Sequence, residues 1–333
     1  MKKLVSLVII AFTLLSLTSC GFLNNSRNTE TTKIRIGYMA GPTGMGMAKL
    51  IQDNGGTDGQ SEKYSFTKYA DTNAAKADLA AGNIDVICIP TNEAAAYRNT
   101  VDEDTVVLAL NCLNSLYLIT NSSANVSSLS DFSGQTIYTC KNGTPRAILE
   151  YLIRELEIDA TVSYEIDGKE ILTPQDLSAQ VIAGNLPNAV MPEPIVTTSL
   201  SQFNSKQSDP TSKWAVKIDF TNEWAKVNST PISMGCIIAN GDFARKNKGA
   251  LDDFLDEYKA SVGFISNPEN IDSAAEYIAN NGIIGKTAIA KTALTNLRNS
   301  ITYIDGNEMK EILVAFYNAM GITLPEDSFY YEK

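Results

Sequence analysis

The chain has 333 residues, with 27 Lys and Arg against 38 Asp and Glu, and it contains no histidine. The missing histidine excludes His-dependent triads and His-zinc sites. A formal charge of −11 sets nucleic acid aside as a partner, because phosphates need a basic face, and the length suits two domains better than one.

Lys2 and Lys3 precede an apolar run from Leu4 to Leu17, interrupted by Ser6, Thr13 and Ser16. That run is shorter than the roughly 20 residues a membrane-spanning helix needs and reads as a secretory signal over residues 1–19. It ends in Leu17-Thr18-Ser19-Cys20, which resembles the lipobox of bacterial lipoproteins. The resemblance implies cleavage before Cys20 and lipid attachment there. The chain is then exported and held on the outer face of the bacterial cell membrane by the lipid alone. Residues 20–32 are polar and Asn/Ser/Thr-rich, as a flexible tether should be. The other cysteines, Cys88, Cys112, Cys140 and Cys236, form no CxxC pair and fit no metal spacing. They read as small buried hydrophobes, with a Cys112–Cys140 disulfide left open.

The spacing then predicts a strand over 34–39, a glycine-rich turn from Gly41 to Gly46, and a helix with Met47, Leu50 and Ile51 on one face. Asn54-Gly55-Gly56 stops that helix. A strand over 64–69, a short helix over 74–81 closed by Gly82, and a buried strand over 84–89 ended by Pro90 complete a βαβαβ unit. Such a unit implies a parallel sheet with helices on its faces. The landmarks recur 102 residues later: Gly41 at Gly143, Gly82-Asn83 at Gly184-Asn185, Pro90 at Pro192, and the first strand at 136–140. The reading is two similar α/β lobes, 33–113 with 229–333 and 114–228, joined by crossings at 113–118 and 228–234. Helical spacing over 243–264, 271–280, 286–297 and 308–320 returns to the first lobe. Ligands bind beyond the carboxyl ends of strands in open α/β sheets, so two facing lobes make a cleft. Two crossings let the lobes hinge.

Several segments in order, IRIGYMAGPTGMGMAKL, LAAGNIDVICIPTNEAAA, LSDFSGQTIYT, NGTPRAILEYLI, AVMPEPIVT and MGCIIANGDFARKN, make the chain similar to substrate-binding proteins of bacterial ABC importers. Within these it resembles the branch serving sulfonates, nitrate, taurine and thiamine-pyrimidine precursors. The resemblance implies a two-lobed α/β periplasmic-binding-protein fold of type II. It also implies a monomer that closes on one small molecule and delivers it to an ABC permease with its ATPase, without catalysis or a cofactor. The chain lacks the histidine and clustered cysteines of the related pyrimidine-precursor synthases, which counts against that enzymatic role.

The candidate ligand groups lie in the paired loops. Gly41, Thr43, Gly44 and Met45 lead into a helix N-terminus, whose unpaired N–H groups and partial positive charge attract anions. The glycines there fit close approach by either a ligand or another backbone segment. In the counterpart loop, Lys141, Asn142, Gly143 and Thr144 precede an amphipathic helix. Thr144 is placed to cap it, with Pro145 at the first helical position, or to touch ligand as well. Thr91 and Asn92 offer uncharged donors and acceptors after Pro90. Glu193, between Pro192 and Pro194, is placed to meet a cationic nitrogen, to pair with a lysine such as Lys141, or to sit at a helix N-terminus. Tyr38 and Tyr117 offer ring faces to the cleft or pack in core and hinge. An acid or zwitterion suits two helix N-termini, though N–H groups also hold neutral carbonyls. A rival enzyme in the same cleft would have to rest on Glu193, Lys141, Cys112 or Cys140, none of them in a recognisable dyad.

Overall fold

The alternation of Ile34, Ile36 and Tyr38 builds the first buried strand, β1 (Ile34–Met39), next to one edge of the largest, six-stranded sheet. The computed structural model describes residues 32–59, 61–297 and 299–333. The expected signal segment 1–19, Cys20 and the tether up to residue 31 lie outside the described residues. β1 pairs in parallel with β2 (Tyr64–Tyr69) on one side and with β3 (Val86–Pro90) on the other. The sheet is mixed rather than wholly parallel. β4 (Val106–Leu113) lies antiparallel to the later strand β12, and its other edge carries a strand antiparallel to it.

β5 (Leu116–Asn121) opens the second half, followed by β6 (Thr136–Tyr138), β7 (Thr161–Ser163), and the hairpin of β8 (Glu165–Ile166) and β9 (Lys169–Glu170). β10 (Asn188–Pro192) and β11 (Trp214–Asp219) flank β5 in antiparallel pairing, while β6 pairs in parallel with β7. The chain then returns to the first sheet as β12 (Ser233–Ala239) and β13 (Ile301–Ile304), giving the order β13-β4-β12-β3-β1-β2. β6 and β10 are joined by a side chain: Asn188 accepts from the Tyr138 amide (3.0 Å) and donates to the Thr136 carbonyl (2.9 Å).

The 102-residue repeat is a repeat of structure. Helix Thr72–Ala80 ends before Gly82 at φ 71°, and helix Pro174–Ala183 ends at Gly184 with φ 77°. The following strands both close on proline, Pro90 and Pro192.

Two local expectations shift. The helix expected over 243–264 breaks into Gly241–Lys246 and Lys248–Ser266. At the break, Asn247 leaves helical backbone and turns its side-chain amide onto the Phe243 carbonyl (3.1 Å). Helix Thr144–Glu155 begins one residue early, with Gly143 rather than Thr144 at the cap. Among the described residues Cys88, Cys112, Cys140 and Cys236 are free and buried, as small hydrophobes should be, and the disulfide left open between Cys112 and Cys140 is not formed.

The crossings lie side by side. Asn114 and Ser115 take left-handed backbone (φ 56° and 69°), and the Asn114 amide donates to the Ile232 carbonyl (2.8 Å) on the returning strand. One hydrophobic cluster takes in residues of both the six-stranded and the three-stranded sheet. In it Trp224 packs on Tyr151 (ring centroids 5.1 Å) and on Phe316 of helix Gly306–Ala319 (6.2 Å).

Candidate functional site

A cavity of about 550 Å³ lies between the loops at the carboxyl ends of β1, β3 and β10, within the roughly 300–1,000 Å³ of small-molecule sites. The first turns of six helices line it. They begin at Pro42, Thr72, Thr91, Thr144, Pro174 and Ile195, and contribute Pro42, Thr43, Thr72, Asn92, Thr144, Pro174 and Ile195 to the wall. Helix N-termini carry partial positive charge, and at three of them first-turn amides are already taken, by Asp71, Thr173 and Glu193. Proline and aliphatic side chains fill the intervening surface, among them Met39, Leu172, Met234, Ile283 and Ile284.

Seven of the expected ligand groups line this cavity: Gly41, Thr43, Asn92, Asn142, Gly143, Thr144 and Glu193. The other six are placed elsewhere. Tyr38 is buried in the core and donates its hydroxyl to the Asn281 carbonyl (3.1 Å), with burial pushing its pKa up to about 12. Met45 is fully buried in the same cluster. Gly44 serves backbone packing, since a Cβ there would lie 2.1 Å from the Met39 carbonyl oxygen. Thr91 is buried, its hydroxyl 2.9 Å from that of Ser233, and its carbonyl accepts from the Tyr317 hydroxyl (3.2 Å). Tyr117 packs in a buried cluster with Ile119, Met191 and Trp214, its phenol pushed up by burial. Lys141 is paired with Glu170, so it makes no pair with Glu193.

Glu193 is the least exposed carboxylate among the described residues, at 1 %. It sits just before helix Ile195–Asn204, where Thr197 donates its amide to Oε2 (3.0 Å) and its hydroxyl to Oε1 (2.8 Å). Asn296, on helix Thr287–Leu297, donates its side-chain amide to Oε1 (2.7 Å). Burial raises the Glu193 pKa above the ordinary carboxylate value and these donors pull it back. Of the three readings for this residue, the helix N-terminus is the one the geometry displays. The other acid in the wall, Glu93, is neutralised by Lys76 at 2.5 Å.

The two sides of the cavity touch at several points. The Thr144 hydroxyl donates to Asn92 Oδ1 (2.7 Å), and a Cβ on Gly41 would lie 3.6 Å from Cδ of Pro194. Acid–base chemistry has little to work with. Burial holds the Cys112 thiol at about 12 and the Cys140 thiol at about 11, far from the reactive thiolate. Among the described residues no cluster of three or more Cys, Asp or Glu is arranged for a metal ion.

Sequence reasoning missed Thr72, Ser115, Thr173, Thr198 and the Ile283–Gly285 turn as wall residues. The repeat offered a signal for two of them. Thr173 is the counterpart of Asp71, the residue before Thr72, and both cap helices that start at the cavity. The 283–285 turn had no counterpart in the second lobe.

No family model matches the chain, and no curated protein sequence matches it. Solved structures match over nearly the whole described chain. An ABC transporter protein from Parabacteroides distasonis superposes with a TM-score of 0.70 at 18 % identity, over 91 % of this chain and 99 % of the other. The periplasmic aliphatic sulphonate binding protein SsuA from Escherichia coli gives 0.66 at 16 % identity, over 90 % and 92 %. The periplasmic nitrate-binding protein NrtA from Synechocystis PCC 6803 gives 0.54 at 13 % identity, over 75 % and 66 %. The chain therefore has the mixed α/β fold of the periplasmic solute-binding proteins of ABC import systems.

Proposed function

We propose that this chain is the solute-binding lipoprotein of an ABC importer. It captures a small organic acid or zwitterion between lobes 33–113 with 229–333 and 114–228, and passes it to a permease and its ATPase. The observation that carries the reading is the 550 Å³ cavity walled by paired loops of two repeated lobes, in a fold shared with transport binding proteins. The ligand groups are Thr43, Asn92, Asn142 and Thr144, with the backbone of Gly41 and Gly143 and the surrounding helix N-termini. The aliphatic wall takes the carbon skeleton. The chain acts as a monomer without turnover, anchored outside the cell through Cys20.

A thermal-shift panel of sulfonates, taurine, nitrate, amino acids, nucleobases and thiamine precursors on residues 31–333 tests this. A ligand at 100 times its dissociation constant stabilises by about 2.7 kcal/mol, which raises the midpoint by about 5 °C in a protein of this size. A shifted midpoint with the compound recovered unchanged supports capture. A flat panel removes the acid or zwitterion assignment, and consumption of a compound removes the non-catalytic one. Changing Thr43 and Thr144 together to valine weakens the hit; undiminished affinity sinks their assignment.

A further inference from the structure

We infer that Asn296, which lies outside the cavity wall, sets the affinity of the chain by holding the lobes closed through Glu193. The inference rests on the proposed reading of two lobes that capture a solute. Glu193 belongs to the 114–228 lobe and Asn296 to helix Thr287–Leu297 of the other, so the 2.7 Å amide–carboxylate bond crosses the seam. Asn296 also lies 3.3 Å from the Thr197 hydroxyl, which itself donates to the same carboxylate oxygen. The seam contact is therefore a small network and not a single touch.

Three donors converge on Glu193, two from its own helix and one from the opposite lobe. The own-helix donors stay when the lobes part; only the Asn296 bond is lost. A hydrogen bond to a charged acceptor is among the stronger kinds, and here the acceptor is buried while the donor stands on an exposed part of its helix. The bond thus favours the closed arrangement without building either lobe. A solute that binds the closed form is held more tightly in proportion to the fraction of closed chain. Glu193 is in this view a positioning residue, and Asn296 reaches the ligand only through it.

The closed fraction is measurable with no solute at all. Thr144 and Asn92 meet across the other seam at 2.7 Å, so Asn92→Cys with Thr144→Cys gives a reporter whose oxidative cross-linking rate follows the population of closed chain. In the full chain in detergent, with each single-cysteine variant as background, Asn296→Leu slows cross-linking about tenfold. Asn296→Ser, too short to reach, slows it similarly. Thr292→Val, on the same helix and exposed, leaves it unchanged. Glu193→Ala combined with Asn296→Leu is no slower than the slower single change, as expected for two residues acting through one contact. An equal rate in Asn296→Leu and the parent overturns the inference, as does a parent that never cross-links. The solute panel fails or succeeds separately. A flat panel with a slowed cross-link removes the ligand reading alone, and a clear hit with an unmoved cross-link removes the latch alone.

Discussion

The two glycine turns that face each other across the cavity share a backbone and then diverge. Gly41 has φ 96° and ψ −160°, and Gly143 has φ 93° and ψ −177°, a region that side chains rarely enter. Three residues on, the first lobe has Gly44 where the second has Arg146; five residues on, it has Gly46 against Ile148. Gly44 presses against the Met39 carbonyl, and Gly46 lies beneath the Tyr258 hydroxyl, where a Cβ would come within 2.6 Å. The chain after the first turn therefore forms two short helices, Pro42–Met45 and Ala48–Asp53, sunk into the core. After the second turn, Ile148, Leu149 and Leu152 bury one face of a single helix, Thr144–Glu155. Arg146 stays on its surface, paired with Glu150 at 2.7 Å and 4.5 Å from the Tyr164 ring centroid. The repeat preserves the turn that shapes the cavity, and each copy is anchored by its own packing.

The largest effect that separates the two turns is Gly44→Ala. A methyl placed 2.1 Å from a backbone carbonyl forces strand and helix apart, at an overpacking cost of about 3 kcal/mol or more. Arg146→Ala at the equivalent position loses an exposed ion pair and about 0.5 kcal/mol. Urea unfolding of the two variants measures the contrast. Equal losses would mean that the first turn is no more rigidly held than the second.

That contrast also marks what a reader of the sequence can and cannot see. The repeat was legible because Gly and Pro punctuate strands and helices by their backbone limits, and Gly41, Gly82, Pro90 and their partners stand where the structure has turns and strand ends. The wall residues nearest those landmarks, Gly41, Thr43, Asn92, Gly143 and Thr144, were legible with them. Whether the glycines of the first turn serve ligand or packing was not, because the contact of Gly44 with Met39 depends on how closely the helix approaches the strand. The choice between cleft and core for Tyr38 and Tyr117 was not legible for a related reason. A phenol in a strand points to one face or the other by register, and both take the core face. Asn296 carried no signal, since it lies 103 residues from Glu193 in the chain.

The sheets offer the next comparison. In the first lobe β1 and β3 pair through backbone at Ile36 with Val86 and Gly37 with Ile87. In the second, the residue equivalent to Val86 is Asn188, whose side chain stands in for the missing ladder. Asn188→Leu leaves the Tyr138 amide and the Thr136 carbonyl without these partners and is expected to cost about 2 kcal/mol. Hydrogen exchange at the Tyr138 amide should accelerate while that of Ile36 in the first lobe is unchanged. If the Tyr138 amide stayed as protected as before, the side-chain bridge would not be what joins these strands. A smaller and equal effect is expected where the lobes agree: Gly41→Ala and Gly143→Ala each cost about 1–2 kcal/mol in backbone strain. Melting curves that differed clearly between them would show that one turn relaxes and the other does not.

The smallest effect concerns the single acid that faces the cavity from the second lobe without a cationic partner. Burial raises the folded-state pKa of Glu193 above its ordinary 4.5. Between that value and the raised one, the unfolded chain has already released the proton while the folded chain still holds it. Stability from this group is therefore fully present below 4.5 and declines as pH rises through the folded pKa. The half-buried Asp78 and the exposed Asp131, Asp209 and Asp242 have the opposite sign: hydrogen bonds, with nearby cations at Asp131 and Asp242, lower their pKa values, so their contribution is lost as pH falls below 3.8. Glu193→Gln keeps an oxygen for Asn296 to donate to but cannot ionise. The difference in unfolding free energy between wild type and Glu193→Gln should fall as pH rises above 4.5 and then level off. Its slope stays below about 1.4 kcal/mol per pH unit, the limit for one proton. A difference that is flat from pH 4.5 to about 7.5 would mean that the three donors offset burial.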